Sequence, residues 1–353
     1  MRDVGGYRTV LLGKYFNGYP TDDPTYIPPG WDEWYGMLHD NSYFDYSLNE
    51  DGRVVAYGRR AEDYETDALA GKAIDFIQRT ETNDAQPFFI YLAPRAPHSP
   101  FTPAPRHQDE FLSVSAPRPP SFNEADLSDK PEWLRNQPLF STEEIEQINT
   151  VYRLRLQSLL AVDEMIERII SALTVGDELK NTYILFTSDN GFHLGEHRLA
   201  RGKDTPYEEA IRVPLIVRGP GVPPGRTLEH IVLNIDFAPT FAELAGVIPP
   251  DVVDGRSFTS LLGTSPPSPE NWRKDLLVEH RGRGRRQIPA FNALRTREYL
   301  YVEYDTGERE LYDLRTDPYE LQNLQQTAEP SLIRSLAERL QALKDCHGAN
   351  CRN

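Results

Sequence analysis

The chain has 353 residues, 39% of them hydrophobic and 10% aromatic, a composition that excludes a disordered polyampholyte. Its 54 acidic and 38 basic side chains leave a formal charge of −16, the wrong sign for a general nucleic-acid binder. No apolar run approaches the roughly 18 residues of a bilayer-spanning helix, so no membrane partner is expected, and residues 1–20 show no secretory leader pattern.

Thr9 to Leu12, bounded by Gly6 and Gly13, read as a short buried strand. A core strand this early, without a lead-in, points to a segment that preceded it. Residues 43–48 and 53–58 alternate Tyr, Phe and Val around Asn49-Glu50-Asp51-Gly52, a hairpin signal. A helix is predicted over 62–79. Phe88 to Ala93 form a continuous apolar run, the pattern of a strand covered on both faces. Residues 94–140 read as a long ordered loop rich in Pro. Ser141 and Glu144 fit a capping box, and behind them apolar residues from Ile145 to Leu173 step by three and four toward Gly176.

Buried strands follow at Thr182–Ser188 and Val213–Val217, then a helix from Asp236 to Leu244 stopped by Gly246. Strands alternating with helices predict an α/β fold with a mostly parallel sheet flanked by helices. Leu276–Glu279, Phe291–Arg295, Tyr299–Tyr304 and Glu310–Tyr312 predict a small C-terminal antiparallel sheet, followed by an amphipathic helix over 330–344. Pro-rich Gly263–Pro269 is the natural linker, which divides the chain into domains 1–264 and 265–353.

The segment Ser188-Asp189-Asn190-Gly191 falls at a strand end, where open α/β sheets bind ligands. A carboxylate beside an amide carbonyl offers hard oxygen donors for Ca²⁺ or Mg²⁺, although the same residues also suit a plain tight turn. Lys203 follows closely, and a lysine there would meet a phosphate or sulfate oxygen. Lys14 sits just past the first strand, and His98 lies past Phe88–Ala93. Three strands are therefore expected to deliver polar groups to one edge. The two cysteines, Cys346 and Cys351, allow either free thiols or a small disulfide loop. Arg281, Arg283, Arg285 and Arg286 form a basic run, read as a solvated loop or as a contact for an anionic polysaccharide.

Gly6-Tyr7-Arg8-Thr9 with Gly13-Lys14-Tyr15-Phe16-Asn17 resembles the opening motifs of sulfatases. Pro97-His98-Ser99-Pro100, Ser188–Gly191, Gly202–Glu208 and Leu311–Leu314 with Asp317-Pro318 and Asn323-Leu324 follow in that family's order. The resemblance spans nearly the whole chain and is nearest to the N-acetylglucosamine-6-sulfatase-like branch. It implies an alkaline-phosphatase-like fold and hydrolysis of sulfate esters of sugars or aryl alcohols. By that similarity Asp189 and Asn190 would be Ca²⁺ ligands, Lys14 and Lys203 would hold the sulfate, and His98 would assist the leaving group. His193, and with it His197, would contact the substrate. The branch also implies a Cys346–Cys351 disulfide and a secreted, periplasmic or lysosomal setting.

Two family features are absent from the sequence. There is no Cys-x-Pro-x-Arg motif, the source of the family's formylglycine nucleophile, and no N-terminal aspartate pair to complete the Ca²⁺ shell. The expectation is a chain of sulfatase lineage with no nucleophile of its own, little or no turnover alone, and an exposed sheet edge. A phosphoester or phosphonate hydrolase of the same superfamily, and a non-catalytic binder of sulfated ligands, are the competing readings.

Overall fold

A computed structural model describes residues 1–20, 22–38, 42–81, 86–282 and 288–352. The basic run keeps only Arg281 inside that range; Arg283, Arg285 and Arg286 lie outside the described residues. The chain divides into two compact units whose bounds differ from the 264/265 linker. The first comprises 1–115, 149–182 and 245–247, and the second the remainder.

In the first unit, strands β1 (Arg8–Gly13), β2 (Glu33–Met37), β3 (Tyr46–Glu50), β4 (Arg53–Tyr57) and β5 (Phe88–Ala93) form one sheet in the order β4-β3-β2-β1-β5. β1 runs parallel to both β2 and β5, whereas β2–β3 and β3–β4 are antiparallel, so the sheet is mixed rather than mostly parallel. The Asp51-Gly52 hairpin closes β3 on β4, with Glu50 opposite Arg53. Helix α1 (Glu65–Glu81) lays Leu69, Ala73 and Phe76 on Val10, Leu12, Met37 and Leu48 of the sheet. Helix α2 (Thr142–Val175) begins in the second unit and runs through the first from Asn149. Its start is a capping box: Ser141 N donates to Glu144 Oε2 at 2.8 Å and Glu144 N to Ser141 Oγ at 3.2 Å.

β5 departs from the double-covered strand its sequence predicts. It pairs only with β1 at the end of the sheet, and Tyr91 is 43% exposed.

In the second unit, β6 (Ile184–Thr187) and β7 (Leu215–Arg218) pair antiparallel as a two-stranded sheet, with Ile216 63% exposed. They are neither parallel nor fully buried, since each has one strand neighbour among the described residues. A 3₁₀ turn at Asn234–Asp236 leads into α3 (Phe237–Leu244), and Arg273 clasps Asp236 there with both residues buried. β8 (Asp275–His280), β9 (Phe291–Thr296), β10 (Tyr299–Tyr304) and β11 (Arg309–Asp313) form the antiparallel sheet predicted from sequence. Alternation sorts its two faces. Leu294, Tyr301 and Leu311 pack on Leu336 and Leu340 of α4 (Pro330–Lys344), while Ala293, Leu300 and Val302 face Leu199 and Tyr207. Cys346 and Cys351 are joined by a disulfide, and Gly348 N donates to Asp254 Oδ1 at 2.6 Å.

The buried Arg273–Asp236 pair yields a stability prediction. Arg273→Ala strands a carboxylate in the interior and is expected to cost about 3 kcal/mol or more in urea denaturation. Removing the exposed guanidinium of Arg315 should leave the same curve nearly unchanged.

Candidate active site

Lys14 and His98 leave neighbouring strands at the same end. β1 and β5 pair in parallel up to Gly13 opposite Ala93. Lys14 N then donates to the Ala93 carbonyl at 2.9 Å. Gly13 has φ +98°, and a Cβ there would lie 2.2 Å from that carbonyl oxygen, so only glycine fits. The half-buried Lys14 is thereby fixed at the carboxyl end of the sheet.

Across from it, the chain after β5 turns through Arg95 to the exposed His98. Three separate elements brace this turn. Tyr43 Oη donates to the His98 carbonyl at 2.7 Å, Arg155 of α2 donates to the Pro97 carbonyl at 3.1 Å, and Arg95 N donates to Glu65 Oε1 at 3.0 Å. Arg95 Nη2 lies 3.1 Å from His98 Nδ1. The Ser99 carbonyl lies 3.0 Å from the same nitrogen, so a guanidinium donor and a carbonyl acceptor both face Nδ1 and either ring nitrogen can carry the proton. Burial lowers the pKa of both Arg95 and Arg155 from the ordinary arginine value, yet both stay cationic at working pH. The turn therefore carries positive charge beside an imidazole that can offer a proton.

In the second unit, Asp189 and Asn190 follow β6. Gly191 N donates to the Ala210 carbonyl at 2.9 Å, and a Cβ on Gly191 would sit 1.9 Å from the Glu209 carbonyl. This contact turns the chain sharply and leaves Asp189 exposed. Lys203 Nζ donates to Asn190 Oδ1 at 2.6 Å, and Asn234 Nδ2 to the Asp189 carbonyl at 3.2 Å. The predicted residues thus form two groups: Lys14 with His98, and Asp189 with Asn190 and Lys203.

Asp189 and Asn190 match Ca²⁺ in kind, as hard oxygen donors, but not in number. Two side chains fall short of the six to eight or so oxygens the ion takes, and Asn190 Oδ1 is already engaged by Lys203. Formylglycine does not fit this chain at all: both cysteines are tied up in the disulfide.

His193 and His197 differ from their expected place against a substrate. Both are fully buried. His193 Nε2 lies 2.7 Å from Thr205 Oγ1, and His193 N donates to the Gly202 carbonyl at 2.8 Å. The His197 ring stacks on Tyr207 at 4.3 Å, and its Nδ1 is 2.7 Å from Glu124 Oε2. They close the 193–202 loop onto the unit's interior. Beside them, the hydroxyls of Tyr207, Tyr304 and Tyr312 all donate to the Glu310 carboxylate at 2.7, 2.7 and 2.6 Å. The buried Lys130 ammonium donates to Tyr312 Oη at 3.0 Å and to the Glu320 carbonyl.

Sequence reasoning missed Arg95, Arg155, Tyr43 and Asn234. Arg155 had a legible signal: it occupies a position on the inward stripe of α2, between Tyr152 and Leu159, where an apolar residue would stand.

Each unit of this α/β architecture thus carries its own polar group: a lysine and a histidine past parallel strands in the first, and a lysine on a carboxylate–amide pair in the second. The sulfatase family model matches residues 4–247, and that of the N-sulphoglucosamine sulphohydrolase C-terminal region matches 195–346. The chain belongs to the sulfatase family. It is 35% identical to the N-acetylglucosamine-6-sulfatase of Homo sapiens over 390 residues, covering 100% of this chain and 70% of that protein. It is 38% identical to the extracellular sulfatase SULF-1 homolog of Drosophila melanogaster over 286 residues, covering 79% of this chain and 25% of that one. A protein solved in complex with its substrate D-glucosamine-2-N,6-O-disulfate aligns with TM-score 0.82 and 27% identity, covering 95% of this chain and 78% of that chain. The fold is thus the alkaline-phosphatase-like fold of sulfatases, and the family's members are sulfuric ester hydrolases.

Glu65, which holds the Arg95 end of the turn, supplies a pH prediction. Burial pushes its carboxyl up to about 7 from an ordinary 4.5. The folded chain keeps a proton there that the unfolded chain releases, so Glu65's contribution falls as pH rises from about 4.5 to about 7, then levels off. Glu65→Gln should remove on the order of 3 kcal/mol of that decline. Denaturation curves across this pH range check it; Glu124 and Glu209, also raised by burial, keep a residual slope of the same sign.

Proposed function

We propose that this chain engages the sulfate ester of a sulfated amino sugar. In this reading the second unit's Lys203 meets the sulfate oxygens beside Asp189 and Asn190, which contribute oxygen donors to a Ca²⁺ ion; in the first unit, Lys14 and His98 are the side chains suited to a sulfate oxygen and a leaving oxygen. Such an ion, when bound, would draw charge from the sulfate oxygens. The observation that carries the reading is Lys203 Nζ held on Asn190 Oδ1 at 2.6 Å, which places a cation beside the carboxylate–amide pair. His98, exposed on a turn held beside Arg95, is the imidazole suited to give a proton to a departing alkoxide.

The substrate class rests on the company the chain keeps: one relative is named for N-acetylglucosamine 6-sulfate, and one structural neighbour holds a glucosamine disulfate. A setting outside the cytosol is part of the same proposal, supported by the disulfide and by a relative named as extracellular. No helix of the described residues is long and apolar enough to cross a membrane.

The test is calorimetric titration of the purified chain with glucosamine 6-sulfate and with glucosamine, in the presence of calcium. The sulfated sugar should bind and the unsulfated one should not. Lys14→Ala and Lys203→Ala should each weaken binding about tenfold, as expected for a charged contact worth about 1.4 kcal/mol. Equal affinity for the two sugars overturns the proposal. Parallel assays should find no hydrolysis of an aryl sulfate, since no side chain here supplies the family's nucleophile; clear calcium-dependent turnover would refute that part.

A further inference from the structure

The second unit holds a group of buried polar atoms that the sulfate site does not use. His197, Glu209 and Glu320 each offer a ligand atom within 4.8 Å of the others; the atoms they leave open are His197 Nε2, Glu209 Oε2, which stands 3.8 Å from it, and Glu320 Oε1. His197 and Glu320 are fully buried and Glu209 is half-buried. None of the three atoms has a hydrogen-bond partner. Leaving one buried polar atom unmet costs about 1–3 kcal/mol, and here three converge on one point.

The groups around them fix what the point can accept. His197 Nδ1 lies 2.7 Å from Glu124 Oε2, so the ring proton sits on Nδ1 and Nε2 presents a bare lone pair. Glu320 Oε2 accepts from Glu208 N at 3.1 Å, and Glu209 Oε1 accepts from Ser121 Oγ at 3.4 Å, which turns the remaining oxygens inward. Three acceptor atoms therefore face each other, and only a carboxyl proton or a bound cation can stand between them. The surrounding charge is lopsided as well. Glu124, Glu310 and Glu320 all feel one ammonium, Lys130, which stands 3.7 Å from Glu124, and Glu209 adds its negative charge beside Glu320.

We infer that His197, Glu209 and Glu320 form a site for a divalent first-row metal of the Zn²⁺ class, with Glu124 orienting the imidazole. One imidazole nitrogen and two carboxylates suit Zn²⁺ better than Ca²⁺, which favours an all-oxygen shell. A histidine whose second nitrogen is held by a carboxylate is the usual arrangement at such ions. Donors about 2.1 Å from a common tetrahedral ion stand roughly 3.4 Å apart, so the two carboxylates need to close in by only about an ångström. The ion joins three stretches of chain: the 193–202 loop ending next to Lys203, the short helix Glu208–Ile211, and the turn after β11. Its role is structural, as a clamp on the loop that carries Lys203. No thiol competes for it, because the two cysteines are bonded to each other.

The experiment uses the purified full chain, stripped with a chelator, dialysed, and titrated with Zn²⁺ by calorimetry, with elemental analysis of the dialysed product. One Zn²⁺ per chain and a higher melting temperature are expected. Glu209→Ala and Glu124→Gln, each shown by circular dichroism to remain folded, should weaken Zn²⁺ about tenfold or more. Should Glu209→Ala fail to fold, Glu209→Gln and Glu124→Gln carry the comparison. Asp189→Asn should bind Zn²⁺ as the parent does, which separates this site from the sulfate reading. The inference is overturned if no stoichiometric Zn²⁺ is retained. It is overturned equally if the Glu209 and Glu124 variants bind as tightly as the parent, or if Asp189→Asn abolishes binding.

Discussion

One backbone hydrogen bond, from Lys14 N–H to the Ala93 carbonyl, governs the geometry of the first unit. It forms only because Gly13 has no side chain and tolerates a left-handed backbone. With it, β1 and β5 end in step, and whatever follows either strand starts from the same sheet edge. Lys14 is then held by the backbone rather than by its own flexible stem. The His98 turn starts from the same edge and gains its rigidity from Tyr43, Glu65 and Arg155 on three different elements. The second unit repeats the device at Gly191, whose backbone lies against Glu209 and Ala210 so closely that any side chain would collide.

The electrostatics of the two units differ in kind. Around His98 two guanidinium groups, Arg95 and Arg155, accompany one buried carboxyl, Glu65. Around His197 the buried charges are carboxylates in excess over a single lysine, suited to a cation. A chain with formal charge −16 therefore still has a local excess of guanidinium over carboxyl at the His98 turn. The acidic surplus has a buried component as well as a solvated one.

Much of the fold was legible in the sequence where a period or a cap announced it. The Asp51-Gly52 hairpin, the capped helix α2, the C-terminal sheet and α4 all carry such signals, and the structure has them at nearly the expected residues. β2 was not legible: Glu-Trp-Tyr-Gly-Met has no two-residue alternation, because this central strand is covered on both faces and its Glu33 is held by Arg8 and Arg79. The pairing partners of β6 and β7 could not be read either, since an apolar run does not say whether its neighbour runs with or against it. Strand-end positions in the sequence single out Lys14, His98, Asp189 and Asn190 as candidates, and the structure places Lys203 on Asn190 across the loop that follows. The buried fate of His193 and His197 was hidden because it depends on bridges from Phe122 to Glu196 and from His193 to Gly202, contacts that no local pattern encodes. Glu124, Glu209 and Glu320 meet only in three dimensions.

The three phenols converging on Glu310 have an optical consequence. Burial raises the ionisation of Tyr207, Tyr304 and Tyr312 well above the ordinary tyrosine value, and the neighbouring carboxylate raises it further. These three of the chain's 18 tyrosines should stay silent in an ultraviolet titration of the native protein. Their phenolate absorbance would emerge only when alkali breaks the interior open, as would that of Tyr43, Tyr46 and Tyr64, which burial raises in the first unit, so the late absorbance reports on the integrity of both interiors.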